Sequence, residues 1–381
     1  MVDEAVSIIA IGRAVRAARE RSQQSLTELA GSASVAPEVV AALEDGRSGI
    51  TRAQLAAVAR ALALEPEALA QGREVARPRP SVFLRHRGLQ DFHDADLDVL
   101  DEALDQGMAL RELGERLNRA TTPWNPSRRD APHDKKDAAA HDGYQLADAL
   151  RRYLDEPTRA FTDLRAHAEQ RLAVAVLVRP LSTRGACAVS SRDAAAIVLD
   201  ESDHGQHPVW AQSAVAHELC HIFCDPRSEG IQVVLDADAD RNPHANEQRA
   251  RAFAAELLLP RKGLQKLLGL PSAVRESGAA VELVKHAMDH YRTTWELTAN
   301  HLCNLRFVDK GLRVWLEAAH AHPAPSLASL RLPPAGAASL EVTACTQAAH
   351  EAGWVTDGEA RRLLGIGALA DLPWIDSRPW R

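Results

Sequence analysis

Aromatic residues are scarce in this chain of 381 residues, at 4%. A core with so few of them leans on Ala and Leu, which favours helices over a large β-sandwich. Cysteine is sparse as well. The five present, Cys187, Cys220, Cys224, Cys303 and Cys345, are odd in number and scattered, a poor disulfide framework. No window approaches the ~20 apolar residues of a membrane span. The opening MVDEAVSIIAIGRAV is acidic with one brief apolar run, unlike a signal peptide. Net charge is −7, which argues against wholesale binding to nucleic acid or to an anionic membrane surface. The expectation is a cytoplasmic protein without a membrane partner. Its length allows two or three domains.

What is present is a series of helix signals. IGRAVRAARERS sets Ile9, Val15 and Ala18 on one side and arginines on the other. Ser25 is placed to cap the next segment, Pro37 suits a first helical turn, Gly46 suits a stop, and a further helix starts after Thr51. EPEALAQG closes the set. Gly12, Arg16, Leu29-Ala30, Val35, Leu43-Glu44-Asp45-Gly46, Leu55, Val58-Ala59 and Leu62 give this stretch a pattern that resembles the Cro/xenobiotic-response-element type of helix-turn-helix. The resemblance implies a five-helix bundle over residues 1–76.

Residues 77–143 read as a helical connector followed by a long mobile loop, polar and rich in Pro, Asp, Lys and Arg from 120 onward. From 144 the pattern is mixed. LAVAVLVRPL (172–181) is β-rich, and ACAVSSRDAAAIVLDE (186–201) reads as two short strands around a turn. HPVWAQSAVAHELCHIF and ANEQRARAFAAELLL are helices, the second ended by Pro260. Residues 309–381 read as a Pro/Ala linker and a C-terminal helical appendix. The fold class expected is mainly α with a small β-sheet, an α+β arrangement.

The chemistry concentrates in His217-Glu218-Leu219-Cys220-His221. Residues four apart on a helix project from one face, so both imidazoles can meet one Zn²⁺. Glu218 can then take a proton from a water whose pKa the metal lowers. Val215, Ala216, Leu219, Ile222 and Phe223 are apolar, so this helix is packed, and buried imidazoles without a partner are costly. A catalytic zinc usually has a third protein ligand. Glu247 is the first choice, because it shares a helix face with Ala250, Ala254, Leu257 and Leu258. His244 ranks second, Glu256 is a further candidate, and Asp225 stands too close in sequence to fold back easily.

HELCH followed by Glu247-x-x-A-x-x-F-A-A-E-L-L-L-Pro260 resembles the ImmA/IrrE family of zinc metallopeptidases, over roughly 144–308. The resemblance implies a zincin-like fold with His217, His221 and Glu247 as ligands and Glu218 as general base. It also implies limited proteolysis of a repressor, often one encoded nearby. Where the usual pattern has Asn, this chain has Arg251.

Other residues carry weaker signals. The strand near AAAIVLD is expected to edge the cleft and to accept an extended peptide by backbone pairing. His286, His290 and His301 are weak candidates for stabilising an oxyanion. Cys220 and Cys224 read first as small buried residues, with a redox-tuned site as the sharper alternative. The recognition helix, Ala36–Leu43, offers almost no base-reading side chains. Arg16, Gln24, Ser25, Glu38 and Arg47 are the nominated DNA-facing residues, most of them suited to phosphate contacts. Through residue 77 nine arginines face ten acids, so the module is not basic. It either reads operator DNA weakly, as a homodimer, or docks a protein. Two functions therefore compete. One is a zinc endopeptidase cleaving a repressor or partner in stress- or phage-related gene control. The other is a DNA-binding regulator whose peptidase-like half is a sensor or scaffold.

Overall fold

The structure is a computed structural model. It describes residues 8–22, 24–47, 50–62, 64, 69–70, 94–119, 124, 136–182, 185–191, 194–202, 207–225, 232–235, 245–269, 273–318, 332–366 and 371–374. It is mostly helical with one small sheet, and it divides into two compact units, 1–81 with 342–381, and 82–341. No single helix among the described residues is long and apolar enough to cross a membrane.

The first unit contains α1 (Ile8–Arg21), α2 (Leu26–Ser32), α3 (Pro37–Glu44) and α4 (Arg52–Ala61). Ser25 and Thr51 each close a capping box, with Glu28 and Gln54 reaching back to the cap backbone. Pro37 opens α3, and Gly46 stands at φ +65° just beyond its end, a conformation that favours glycine. Val15, Leu29, Val40, Leu43 and Val58 form the core. Ile9 is exposed rather than buried with Val15 and Ala18. Most of EPEALAQG lies outside the described residues. Residues 342–381, read from sequence within a C-terminal appendix, belong to this unit, and the short helix Asp357–Leu363 packs on α4.

In the second unit, α5 (Asp94–Arg116), α6 (Lys136–Tyr153) and α7 (Leu164–Leu172) precede β1 (Val174–Arg179), β2 (Ala186–Ser190) and β3 (Ala195–Asp200). Then come α8 (Pro208–Cys224), β4 (Gln232–Leu235), α9 (Ala245–Leu258), α10 (Arg261–Leu268), α11 (Ser277–Tyr291) and α12 (Trp295–Asn304). The strands lie in the order β1-β3-β2-β4, with β1 parallel to β3 and the other pairs antiparallel. Every residue of β1 and β2 is buried, so helices cover both faces of the sheet. Val174, Val176, Ala188, Ile197 and Leu199 share a core with Val215, Leu219 and Phe223 of α8. The helix α5, read from sequence as part of a connector, packs on β1 and β3, burying Leu100, Ala103, Leu104 and Leu110.

Two sequence expectations are corrected, and one strand is added. The polar loop does not run to 143: the chain is helical from Lys136, where an Ala-Ala-Ala run favours helix and Ala139 is buried. The strand AAIVLD is not an edge, since β3 is hydrogen-bonded to β1 on one side and β2 on the other. The short strand β4 carries no alternating pattern long enough to be read, and it, with β1, borders the sheet.

α6 lies unusually close to α9. A Cβ built on Gly143 would stand 2.4 Å from the carbonyl oxygen of Arg249 and 2.9 Å from the nitrogen of Phe253. In an open helix Gly143→Ala would gain about 1 kcal/mol of propensity. Here overpacking against backbone outweighs that gain, and a net loss of roughly 1–3 kcal/mol is expected in urea unfolding. An unchanged midpoint would show that the two helices can separate freely.

Candidate metal centre

α8 delivers His217 and His221 from one face because they are four residues apart. His207 precedes the helix and Pro208 opens it. The helix ends at Cys224, after which Asp225 turns to extended backbone. The second helix, α9, brings Glu247 in its first turn. The ligand-type atoms of His217, His221 and Glu247 all lie within 4.8 Å of one another. His217 Nε2 is 3.2 Å from Glu247 Oε2, His221 Nε2 is 3.4 Å from Glu247 Oε1, and the two Nε2 atoms are 3.0 Å apart. All three side chains are buried. Two imidazole nitrogens and one carboxylate facing a single point form a donor set that can hold a divalent metal.

The other ring nitrogen of His221 faces Asp225 Oδ2 at 3.0 Å. A carboxylate on Nδ1 fixes the ring and leaves Nε2 turned to the cluster. Asp225 is itself held by a buried ion pair with Arg249, whose Nη2 also donates to Asn246 Oδ1 at 2.9 Å. Burial alone would push the His221 imidazole down, but the hydrogen bond and charge of Asp225, with Glu218 and Glu247, raise it to about 9. Asp225 thus orients one of the three candidate donors and lies outside their group. The sequence signal was available: an acid four residues after the second His, where the helix stops. Arg249 carried no signal of its own, since its partner is known only once α8 and α9 are packed.

Glu218 follows His217 on α8 and is fully buried. Glu256 lies elsewhere: its Oε1 accepts from the nitrogen of Arg261 at 2.8 Å and its Oε2 is 3.4 Å from His301. It points away from the cluster because nine residues past Glu247 is half a turn out of phase on a helix. His244 lies outside the described residues. Of the three oxyanion candidates, His301 is buried against the carbonyl of Leu259 at 3.1 Å, while His286 and His290 are exposed on α11. None of the three joins the His217–His221–Glu247 group. Cys220 and Cys224 are both free and buried, and burial pushes the Cys220 thiol well above its ordinary range, with Cys224 adding to the effect. A thiol held protonated is a poor nucleophile, which favours the packing role.

Residues 194–277 are similar to the IrrE N-terminal-like domain of the Peptidase_M78 family. This IrrE-like segment runs from β3 through α10 and contains both metal-facing helices. The matched family is one of metallopeptidases, and the match supports a metallopeptidase reading of this segment independently of the donor geometry. No curated protein and no solved structure matches the chain.

The residues nominated for DNA are placed differently. Arg16 pairs with Glu44 at 3.2 Å and with Asp45 at 2.7 Å, and Arg47 pairs with the other oxygen of Asp45. Those two arginines hold the Asp45 carboxyl below its usual range, Arg47 contributing most. Ser25 is occupied in its capping box. The Gln24 carbonyl accepts from Arg19 at 3.0 Å, and Glu38 is exposed in the first turn of α3.

Proposed function

We propose that this chain is a zinc-dependent endopeptidase coupled to a helix-turn-helix module, and that it cleaves a repressor or another regulatory protein in stress- or phage-related transcriptional control. One observation carries the reading. His217, His221 and Glu247 converge from two helices, with Glu218 one residue beyond the first histidine. A zinc ion held by those three side chains would polarise the scissile carbonyl and make a water acidic enough to deprotonate near neutral pH. Glu218 takes the proton of the attacking water on a carboxylate oxygen and passes it to the nitrogen of the leaving amine. Asp225, steadied by Arg249, keeps the His221 ring from rotating out of place. An extended substrate adds to the outer edge of β4, which pairs only with β2 among the described residues.

The test is chelation. Protein co-purified or mixed with the repressor of a neighbouring gene should cleave it, stop when a chelator strips the metal, and resume on adding zinc. Cleavage that survives complete removal of metal would sink the hydrolase reading. Full metal occupancy without cleavage of any partner or of the chain itself would favour a sensor or scaffold instead.

For the N-terminal module, the pairing of Arg16 and Arg47 with acids of the same module supports protein docking over operator reading. Those arginines would have to break ion pairs to meet phosphate. Gel shifts at low salt should then show little binding. Tight binding that falls steeply with salt would restore the operator role, with a homodimer spanning two half-sites.

A further inference from the structure

α8 is closed to solvent on nearly every side. Ala211, Val215 and Glu218 are exposed by 0%, 1% and 0%. One face departs from this at its N-terminal end, at Trp210. Trp210, Ala214, His217 and His221 lie four, three and four residues apart, hence on one face. Their exposure falls in that order, from 44% through 8% and 7% to 4%. His217 and His221 therefore lie on the buried continuation of the helix face whose exposed end is Trp210.

Trp210 is one of the few large apolar side chains exposed among the described residues. It is also propped in place. The His207 ring, just ahead of the helix, lies against the indole with centroids 4.6 Å apart and planes at 54°. On this face of the helix Ala214, a small side chain, lies between the indole and the imidazoles. A flat apolar surface, held by a neighbouring ring and ending at a hydrolytic centre, suits an apolar side chain rather than a charged one.

We propose that Trp210 and His207 form an aromatic platform that receives an aromatic or large aliphatic side chain of the peptide substrate. This rests on the peptidase reading of the site. Seven residues of helix separate Trp210 from His217, about 10 Å along the axis. Extended chain advances about 3.3 Å per residue. The favoured side chain accordingly sits about three residues from the cleaved bond.

The experiment walks one Phe along otherwise identical Gly/Ser/Thr decapeptides and compares wild type, Trp210→Ala and Trp210→Phe. Wild type should prefer Phe at one position about three residues from the cut. Trp210→Ala should reduce that preference, the ratio of kcat/KM for the Phe peptide over the Gly peptide, by about 10-fold or more. Trp210→Phe should restore most of it, and metal content should match wild type in all three. A preference unchanged in Trp210→Ala overturns the platform, as does the same proportional loss on every peptide, which marks a general structural effect. Failure of the peptidase reading is seen separately. If wild type cleaves none of the peptides, anisotropy of the labelled peptides on Glu218→Gln and Glu218→Gln/Trp210→Ala proteins still reports the platform. Selective binding of the Phe peptide that Trp210→Ala removes supports it, and equal binding of Phe and Gly peptides overturns it.

Discussion

Glu218→Gln is expected to leave metal binding intact and to lower the cleavage rate by about 10²- to 10⁴-fold, the range a positioned acid–base group supplies. The amide nearly matches the carboxylate in shape, so the buried packing of α8 should survive. What it lacks is basicity: it cannot take a proton from water or return one to the leaving amine. Glu218 is also not among the three convergent side chains, so metal content should equal that of wild type. Metal analysis and a cleavage assay on the same preparation check both halves. A glutamine variant that cleaves at the wild-type rate would remove Glu218 from the reaction. One that loses its metal would show Glu218 to be part of the metal-binding set.

Glu247→Ala should have the complementary effect, losing metal and activity together. Alanine removes the carboxylate that lies within 3.4 Å of both Nε2 atoms and leaves two donors where three converged. The loss of affinity should exceed the roughly 10–100-fold that removing an outer hydrogen-bond partner costs. Competition with a chromophoric chelator measures it directly. Asp225→Ala, which removes the partner of His221 Nδ1 and of Arg249 but none of the three donors, should fall within that smaller range. Equal metal affinity in Glu247→Ala and wild type would point to a third donor elsewhere, in residues such as His244.

The centre was legible in sequence to the extent that its chemistry is local. His217, Glu218 and His221 occupy one helical turn and a half, so spacing alone places them. Glu247 was reachable by phase, because an acid on the same face as Ala250, Ala254 and Leu257 must turn inward. The Asp225–Arg249 support was not, since it joins the end of α8 to α9, groups 24 residues apart that meet only once the helices pack. The sheet shows the same limit. Short apolar runs bounded by turn signals announced β1, β2 and β3, but strand order is set by long-range pairing. A segment as apolar as AAIVLD reads equally well as an edge or a centre. In the N-terminal module the helix caps at Ser25 and Thr51 were local and readable. The ion pair of Arg16 with Asp45 formed only when α1 met the end of α3, while that of Arg47 with Asp45 is local to the turn.

One feature of the chain's organisation bears on how it is made. The unit that begins with residues 1–81 also contains residues 342–381, which leave the ribosome only after the whole of the other unit. At about 5–20 residues per second, the intervening 260 residues take roughly 13–52 s to synthesise. Throughout that interval the surface of α4 that the Asp357–Leu363 helix later covers is bare. Nascent chains on one polysome thus present that uncapped surface to each other, and the demand for chaperones should be greatest before residues 342–381 emerge.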